Sequence, residues 1–361
     1  MASKAKSVHL SAFYMNYPNE IYMKRCLQLA AKAAGNVAPN PMVGAVLVAG
    51  GRIIGEGYHA YYGGPHAEVN FINSVKPQDV ALIKEATLYV SLEPCAHFGK
   101  TPPCADLIIK SGIPEVVIGC MDPFEAVNGK GIDKLKAAGI RVIENVLPDE
   151  CRQLNKRFFC FHEQQRPYVV LKWAETSNGF IGTPGKRICI SNTICNQLVH
   201  KWRTEEAAIL IGKNTLLNDD PLLTARLWPG NNPVRVVVDK ALSLGSGFKL
   251  FEQPGRVVVL NFIKDEEVGS IYYKKLDAGF TLAKAVLQAL YELKLQSVFI
   301  EGGAATHQSF INEALWDEAR VITGDDAIDG SVTAPVLYNA HKESETEIDN
   351  NLITFYNRIA G

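Results

Sequence analysis

The chain has 361 residues, of which 47% are hydrophobic and 21% are charged, as expected for a globular protein of two domains or one large one. Its net charge of −1 gives no bulk attraction to a nucleic-acid backbone or an anionic membrane. The eight cysteines are irregularly spaced, which is not typical of a disulfide scaffold, and neither a signal peptide nor a membrane-length apolar run is evident. We therefore expect a cytoplasmic protein.

Strands and helices are predicted to alternate after a short irregular N-terminal arm. Asn19 is expected to cap a helix that stops at Gly35, and a strand pair follows around Gly50 and Gly51. The alternation beyond this pair predicts a parallel α/β sheet, and a second α/β unit begins at Tyr168. The predicted first domain is residues 15–147 and the predicted second domain is residues 167–361. A linker that is partly helical, residues 148–166, joins them.

A histidine and two cysteines carry the strongest chemical signal. His66, Cys95 and Cys104 make a three-ligand zinc set, and catalytic zinc keeps three protein ligands while leaving the fourth position for water. Glu68 stands two residues after the histidine, so on a helix it points away from the ion and can move protons to and from that water. A glutamate that is not a ligand, followed by Pro-Cys and a later Cys, is the signature of zinc deaminases of nucleosides and nucleobases.

The spacing of the two cysteines leaves alternatives open. Eight residues separate Cys95 from Cys104, whereas the usual gap in deaminases is two. The intervening run is polar and rich in glycine and proline, and it leads into a helical pattern, as a loop in contact with substrate would. The competing interpretation is a pair of reduced structural cysteines with a core histidine, and His97 is a competing zinc ligand.

Three features of the second half each have a chemical and a structural interpretation. Gly302 and Gly303, between a strand and a helix, either present N–H groups to a phosphate or form an ordinary turn. The run 218–221 is either a metal or acid/base site or an Asp-Pro turn. Lys172 among apolar neighbours is either a site residue or at a sheet edge. Three arginines are candidate ligands for an anionic substrate, because arginine suits bidentate phosphate contacts: Arg187, Arg203 and Arg226.

Taken together, these motifs resemble the bifunctional deaminase/reductase family of riboflavin biosynthesis. The matching runs of the first half are Pro39–Val46, His66–Glu68, Leu92–Cys95, His97–Cys104, Asp122–Pro123 and Gly129–Gly131. Those of the second half are Gly212–Thr215, Leu217–Pro221, Leu223–Thr224, Arg226, Pro233–Arg235 and Glu301–Gly303. The long gap between the two cysteines is usual in this family.

The resemblance implies an N-terminal cytidine-deaminase-like three-layer α/β domain and a C-terminal dihydrofolate-reductase-like α/β domain. The first would deaminate 2,5-diamino-6-(5-phosphoribosylamino)pyrimidin-4-one with one zinc per chain, and the second would reduce its ribosyl group to ribityl with NADPH. The expected partners are this phosphorylated pyrimidine and further copies of the chain in a dimer or tetramer, with no nucleic acid and no membrane. The alternative is a deaminase whose C-terminal domain is inert.

The resemblance also implies roles for individual residues. The deaminase substrate would contact Asn40, Lys100 and Asp122. The reductase substrate would contact Arg187, Arg203, Leu223, Arg226 and Glu301. The reductase cofactor would contact Ala174, Cys189, Thr215, Asp219, Gly303, Ala304 and Ala305. The chain departs from the family pattern at Phe124, Asn178 and Cys189, where the family commonly has asparagine, aspartate and an aromatic residue.

Overall fold

The computed structural model describes residues 19–98, 102–183, 185 and 188–359. The described chain forms two compact units. The first contains the described residues up to Lys32, together with Val43–His59 and Pro65–Leu154. The second contains Ala33–Met42, Ala60–Gly64 and the chain from Asn155 onward.

The first unit is a sheet covered by helices on both faces. Its elements are α1 (Glu20–Ala31), β1 (Gly44–Ala49), β2 (Arg52–Tyr58), α2 (Ala67–Ser74), a 3₁₀ helix (Pro77–Glu85), β3 (Thr87–Leu92), α3 (Cys104–Ser111), β4 (Glu115–Cys120), α4 (Lys130–Ala137), β5 (Arg141–Ile143) and α5 (Pro148–Leu154). The strand order is β2-β1-β3-β4-β5. Helices α1 and α5 pack together on one face and α2, α3 and α4 on the other, which makes three layers.

The parallel pairing predicted for the strands beyond the first pair is confirmed, and the first pair itself is antiparallel. Strands β3, β4 and β5 are parallel, whereas β1 is antiparallel to both β2 and β3. Gly50 and Gly51 explain the first of these pairings, because both have positive φ, 56° and 74°. A two-residue turn of this kind folds β1 directly back along β2 as a hairpin, with no helix between them.

Helix α1 begins where Asn19 predicts, although it ends at Ala31, before the predicted stop at Gly35. The side chain of Asn19 accepts a hydrogen bond from the backbone N–H of Ile21, so it caps the first turn of the helix. Its buried residues recur on one face, at Met23, Cys26, Leu29 and Ala30. The N-terminal helix is therefore held by its own cap and by an apolar stripe against the sheet.

The second unit is built on a ten-stranded sheet. Its elements are α6 (Lys156–Glu163), β6 (Tyr168–Thr176), β7 (Phe180–Gly182), α7 (Thr193–Glu205), β8 (Ala208–Gly212), α8 (Lys213–Asp219), β9 (Val234–Val238), α9 (Lys249–Glu252), β10 (Val257–Asn261), β11 (Glu266–Val268), β12 (Ile271–Lys275), α10 (Leu282–Glu292), β13 (Ser297–Ile300), α11 (Ala304–Asn312), β14 (Glu318–Gly324), β15 (Val332–Thr333), β16 (Ala340–Ile348) and β17 (Asn351–Arg358). The order is β11-β12-β10-β9-β8-β13-β6-β14-β17-β16, and β7 pairs with β15 separately.

Seven adjacent strands of this sheet, from β12 to β14, are parallel. The outer strands β11, β17 and β16 are antiparallel to their neighbours. The central strands β8 and β13 are almost entirely apolar, and every residue of β13 is buried, as expected of parallel strands covered on both faces. Lys172 lies in β6, between β13 and β14, so it is not at a sheet edge.

The predicted linker contains two helices, α5 and α6, and the border between the two units falls between Leu154 and Asn155. The side chain of Asn155 accepts a hydrogen bond from Met42 N (2.8 Å) and donates one to Met42 O (2.8 Å). These two hydrogen bonds connect the segment Ala33–Met42 to the rest of the second unit. The predicted domain boundaries stay predictions.

None of the described helices combines the length and the apolar composition that a membrane crossing requires.

Two charged residues from the recognised motifs hold α9 at its two ends. The Asp220 carboxylate accepts a hydrogen bond from Lys249 N (2.9 Å) and pairs with the Lys249 ammonium (3.2 Å). The buried guanidinium of Arg235 donates to the carbonyl oxygens of the other end, at Leu250, Gln253, Pro254 and Gly255, over 2.6–2.9 Å. Asp220 therefore has a structural role, which agrees with the interpretation of this run as an Asp-Pro turn. It also ends α8, a helix that was not predicted.

We expect Arg235→Met to lower the free energy of unfolding of the second unit by about 3 kcal/mol, because four buried carbonyl oxygens lose a charged donor. All four tryptophans, at positions 173, 202, 228 and 316, lie in this unit, so tryptophan fluorescence during urea unfolding reports on it alone. The control is Arg256→Met, since Arg256 is exposed. Equal midpoints for the two variants would show that the Arg235 clamp does not stabilise the unit.

Candidate active sites

His66, Cys95 and Cys104 meet in the first unit. One ligand atom from each lies within 4.8 Å of the others. His66 Nδ1 is 3.2 Å from Cys104 Sγ and 3.8 Å from Cys95 Sγ. Three nitrogen and sulfur donors at this spacing can surround one zinc ion, so the donor set fits the metal.

The ends of secondary-structure elements bring the three side chains together. His66 is the residue immediately before α2, Cys104 is the first residue of α3, and Cys95 follows the end of β3. The backbone N–H of Cys104 donates to Cys95 Sγ at 3.4 Å, which joins the two cysteines across their long loop. The metal residues thus lie at the end of a strand and at the starts of two helices.

The two thiols share one proton unequally. A hydrogen bond from the Cys104 thiol lowers the pKa of Cys95 to about 4, and the same bond raises the pKa of Cys104. Cys95 is therefore a thiolate at neutral pH. Since zinc binds thiolates, the site presents one ligand already deprotonated and a second that loses its proton when the metal binds.

Glu68 lies beside the metal cluster with its side chain buried. Burial raises the pKa of its carboxyl group. It occupies the first turn of α2, two residues after His66, and is not one of the clustered ligands. A carboxyl group at this position faces the metal's surroundings without completing its coordination.

The competing ligand His97 is not part of the cluster. It is exposed, and its ring centre lies 6.0 Å from that of Phe124. Among the described residues, His66, Cys95 and Cys104 form the only grouping of His, Cys, Asp or Glu that could hold a metal. The described donors therefore leave a fourth coordination position open, as a catalytic rather than a structural zinc requires.

Of the three residues predicted to contact the deaminase substrate, the structure describes two, Asp122 and Asn40. Asp122 is buried just after β4, and burial raises its pKa to about 7. Its carboxylate accepts a hydrogen bond from Phe124 N at 2.8 Å, so the unusual Phe124 contributes its backbone there. Asn40 lies in Ala33–Met42, a segment of the second unit. Lys100 lies outside the described residues.

A cavity of about 1550 Å³ opens in the second unit. Its walls include every predicted substrate and cofactor residue of this half that the structure describes, at Ala174, Cys189, Arg203, Thr215, Asp219, Leu223, Arg226, Glu301, Gly303, Ala304 and Ala305. Arg187 lies outside the described residues. The volume exceeds that of a typical single-ligand pocket, so the cavity has room for a cofactor and a substrate together.

An ion pair fixes one wall of this cavity. Arg203 donates from Nε and Nη2 to the two carboxylate oxygens of Glu301, each at 2.7 Å, and from Nη1 to Thr224 O at 2.8 Å. Because the guanidinium is already bound on two sides, its charge is largely balanced within the protein. Arg203 therefore orients Glu301 and the segment around Thr224, and its contact with the substrate stays a prediction.

Lys172 and His307 occupy the floor of the same cavity. Burial lowers the pKa of Lys172, while the nearby Glu301 carboxylate opposes this shift. The ring nitrogens of His307 lie 3.0 Å from Gly303 O and 3.1 Å from Lys172 O. The histidine thus connects β6 to the glycine turn before α11. Of the two interpretations of Lys172, the position on the cavity wall agrees with a site residue and not with a sheet edge.

The glycine turn is shaped by close packing against the cavity wall. Gly303 has φ 78°, and a side chain at Gly302 would lie 2.8–2.9 Å from Ile211 and Thr215. Helix α11 begins at Ala304, and its first residues line the cavity. Three lysines that the sequence did not single out also line the walls, at Lys213, Lys240 and Lys249.

The departure at Asn178 has a structural reason. Its side-chain amide donates to Ile328 O (2.9 Å), and its oxygen accepts from Ile328 N (3.2 Å). An aspartate could accept the second bond but could not donate the first. Asn178 therefore fastens the segment after β14 to the turn that follows β6. Cys189, the other departure in this unit, is exposed on the cavity wall.

Comparison with known proteins identifies both units. The family model of the cytidine and deoxycytidylate deaminase zinc-binding region matches residues 17–120, and that of the RibD C-terminal domain matches residues 167–327. The riboflavin biosynthesis protein RibD of Aquifex aeolicus is 38% identical over 352 residues, covering 93% of this chain and 98% of that protein. The chain belongs to the RibD family.

Two further relatives agree with this assignment. RibD of Escherichia coli is 33% identical over 83% of this chain and 86% of its own length. The crystal structure of a diaminohydroxyphosphoribosylaminopyrimidine deaminase/5-amino-6-(5-phosphoribosylamino)uracil reductase from Thermotoga maritima is 37% identical, with a TM-score of 0.85. The match covers 94% of this chain and 98% of the Thermotoga maritima chain.

Membership of the RibD family confirms the bifunctional interpretation. The chain is an enzyme with a deaminase domain and a reductase domain, and its cofactors are zinc and NADPH. The predicted fold class, with a cytidine-deaminase-like first domain and a reductase second domain, is also confirmed. An inert second domain is not favoured. The dimer or tetramer and the cytoplasmic location stay predictions.

We expect Cys95→Ala to lower the zinc content from about one ion per chain to nearly none after dialysis against a weak chelator, because two donors hold zinc poorly. Metal content is measured by mass spectrometry of the dialysed protein. Cys26→Ala is the control, since Cys26 is a buried free cysteine of the same unit that bonds to Tyr89 O. Full zinc retention in Cys95→Ala would exclude Cys95 as a ligand.

Proposed function

We propose that the chain catalyses two successive steps on one phosphorylated pyrimidine. The first is hydrolytic deamination of 2,5-diamino-6-(5-phosphoribosylamino)pyrimidin-4-one, and the second is reduction of the ribosyl group to ribityl. The observation that carries the proposal is the His66, Cys95 and Cys104 cluster with the Glu68 carboxyl group beside it. The two activities in the name of the Thermotoga maritima relative support the order of the steps.

We assign the first step to residues of the metal site. His66, Cys95 and Cys104 would hold the zinc ion, which would supply a water of lowered pKa as the nucleophile. Glu68 is assigned as the group that would accept a proton from the nucleophile and donate a proton to the departing amine. Asp122, whose pKa is raised to about 7, is assigned to hydrogen bonding with the pyrimidine. Asn40 and Lys100 are assigned to the same substrate by family resemblance.

We assign the second step to the cavity of the second unit. NADPH supplies the hydride, and the protein supplies orientation and charge. Lys172 is assigned as the donor of the proton that the sugar oxygen takes up when the ring opens, because burial lowers the pKa of its ammonium group. Glu301, held in place by Arg203, opposes the lowering of the Lys172 pKa that burial causes.

We assign the remaining cavity residues to binding. Leu223, Arg226 and Arg187 are placed on the substrate. The cofactor is placed along the glycine turn and the opposite wall, at Ala174, Cys189, Thr215, Asp219, Gly303, Ala304 and Ala305. The amide groups at the start of α11 suit its phosphates, because a helix N-terminus attracts anions. The lysines of the wall add positive charge for the same groups.

The product mass tests both steps in one reaction. We expect zinc-loaded protein with the diaminopyrimidine phosphate and NADPH to give a product about 3 Da heavier, since deamination replaces NH by O and reduction adds two hydrogens. Without NADPH the increase should be about 1 Da. A product about 1 Da heavier in the presence of NADPH would contradict the reductase assignment, and an unchanged substrate would contradict both.

We expect Glu68→Gln to slow deamination about 10³-fold while zinc content stays at one ion per chain, because the amide cannot transfer the proton. Reduction of the deaminated intermediate should continue at the wild-type rate, which shows that the second unit is intact. Glu115→Gln is the control, because Glu115 pairs with Arg141 away from the metal. Deamination at the wild-type rate in Glu68→Gln would remove Glu68 from the mechanism.

A further inference from the structure

Glu93 is a buried carboxylate of the first unit that neither proposed step uses. It directly follows β3 and stands two residues before Cys95. Its own backbone N–H donates to Cys120 O at 3.0 Å, which continues the pairing of β3 with β4. Its side chain therefore begins at the point where the chain leaves the sheet for the metal site.

Four backbone N–H groups donate to the Glu93 carboxylate. Oε2 accepts from Asp122 N (3.3 Å) and Gly129 N (2.9 Å). Oε1 accepts from Gly131 N (2.9 Å) and Ile132 N (3.3 Å). The last two residues are in the first turn of α4, where the helix dipole favours a negative charge. One side chain thus satisfies N–H groups on both sides of the loop between β4 and α4.

A second contact presses the metal loop onto the same helix. A side chain at Gly131 would place its Cβ 1.9 Å from Pro94 O and 3.2 Å from Glu93 Oε1. The backbone immediately before Cys95 therefore lies directly against the start of α4. This close approach is possible only with glycine at position 131.

From these contacts we propose that Glu93 is a positioning residue. It holds the loop that carries the zinc ligand Cys95 and the loop that carries Asp122 as one rigid body, so that metal and substrate contact keep a fixed separation. The role given to Asp122 rests on the proposed function, whereas the effect on Cys95 does not. A carboxylate that only stabilised the unit would leave the metal geometry and the substrate affinity of the folded enzyme unchanged.

The test compares Glu93→Gln with Asp79→Asn. Asp79 is also a buried carboxylate of the first unit, but its partner is the side chain of Arg52. In Glu93→Gln an amide NH₂ replaces one acceptor oxygen, so two of the four backbone donors lose their partner. The readouts are the visible absorption spectrum of the cobalt-substituted protein, the chelator-competition zinc affinity, and KM and kcat for deamination by the zinc enzyme.

We expect Glu93→Gln to shift the cobalt–thiolate absorption, to weaken zinc binding about 10- to 100-fold and to raise the deamination KM about tenfold, more than kcat falls. Asp79→Asn should match the wild type in all three. The rate of reduction of the deaminated intermediate should be unchanged in both variants. An unchanged cobalt spectrum together with an unchanged KM in Glu93→Gln would overturn the proposal.

Gly131→Ala provides a second route to the same displacement. It keeps the carboxylate but pushes Pro94 away, so we expect the same spectral shift and the same rise in KM. The control is Gly245→Ala, where the added methyl group meets no atom within 4 Å. If Glu93→Gln does not fold, Gly131→Ala decides, and wild-type values in that variant overturn the proposal.

The failure of the proposed function is distinguishable from the failure of this inference. If the wild-type enzyme does not deaminate the diaminopyrimidine, the substrate assignment fails. The cobalt spectra of Glu93→Gln and Gly131→Ala then still show whether the contacts around Glu93 position Cys95.

Discussion

Parallel strand pairing is the constraint on which both sites depend. Parallel strands end at the same edge of a sheet, so the residues that follow them come together even when they are far apart in the chain. In the first unit this brings the residues after β3 and β4, with Cys95 and Asp122, to one edge. In the second unit it brings the ends of β6, β8 and β13, and with them Glu301, to the cavity.

Glu93, Arg235 and Arg203 are charged side chains held by backbone groups or by a matched carboxylate. Glu93 accepts four backbone N–H bonds, and Arg235 donates to four backbone carbonyl oxygens. Arg203 is paired with Glu301 in a two-bonded arrangement. Removing such a charge from water is unfavourable unless every donor or acceptor is used. These residues therefore fix the loops around the sites as well as their own positions.

The departures from the family pattern need not mean a loss of activity. Asn178 makes a two-way contact with Ile328 that aspartate cannot make. Phe124 donates its backbone N–H to Asp122, a contact that does not depend on its side chain. In both places the described contacts offer a structural reason for the residue. Cys189 lies on the cavity wall, and nothing in the structure explains the loss of the aromatic residue there.

Local sequence patterns were enough to predict the start of α1, the first strand pair and the chemistry of the metal ligands. The helix cap at Asn19 and the turn at Gly50–Gly51 depend only on residues nearby in the chain. The metal ligands are recognisable by residue type, at His66, Cys95 and Cys104. Three other features appear only in the tertiary structure. They are the antiparallel pairing of β1 with β3, the ion pair between Arg203 and Glu301, and the hydrogen bonds from the start of α4 to Glu93. Each joins residues distant in the chain, and a pattern of local spacing carries no information about which distant groups will meet.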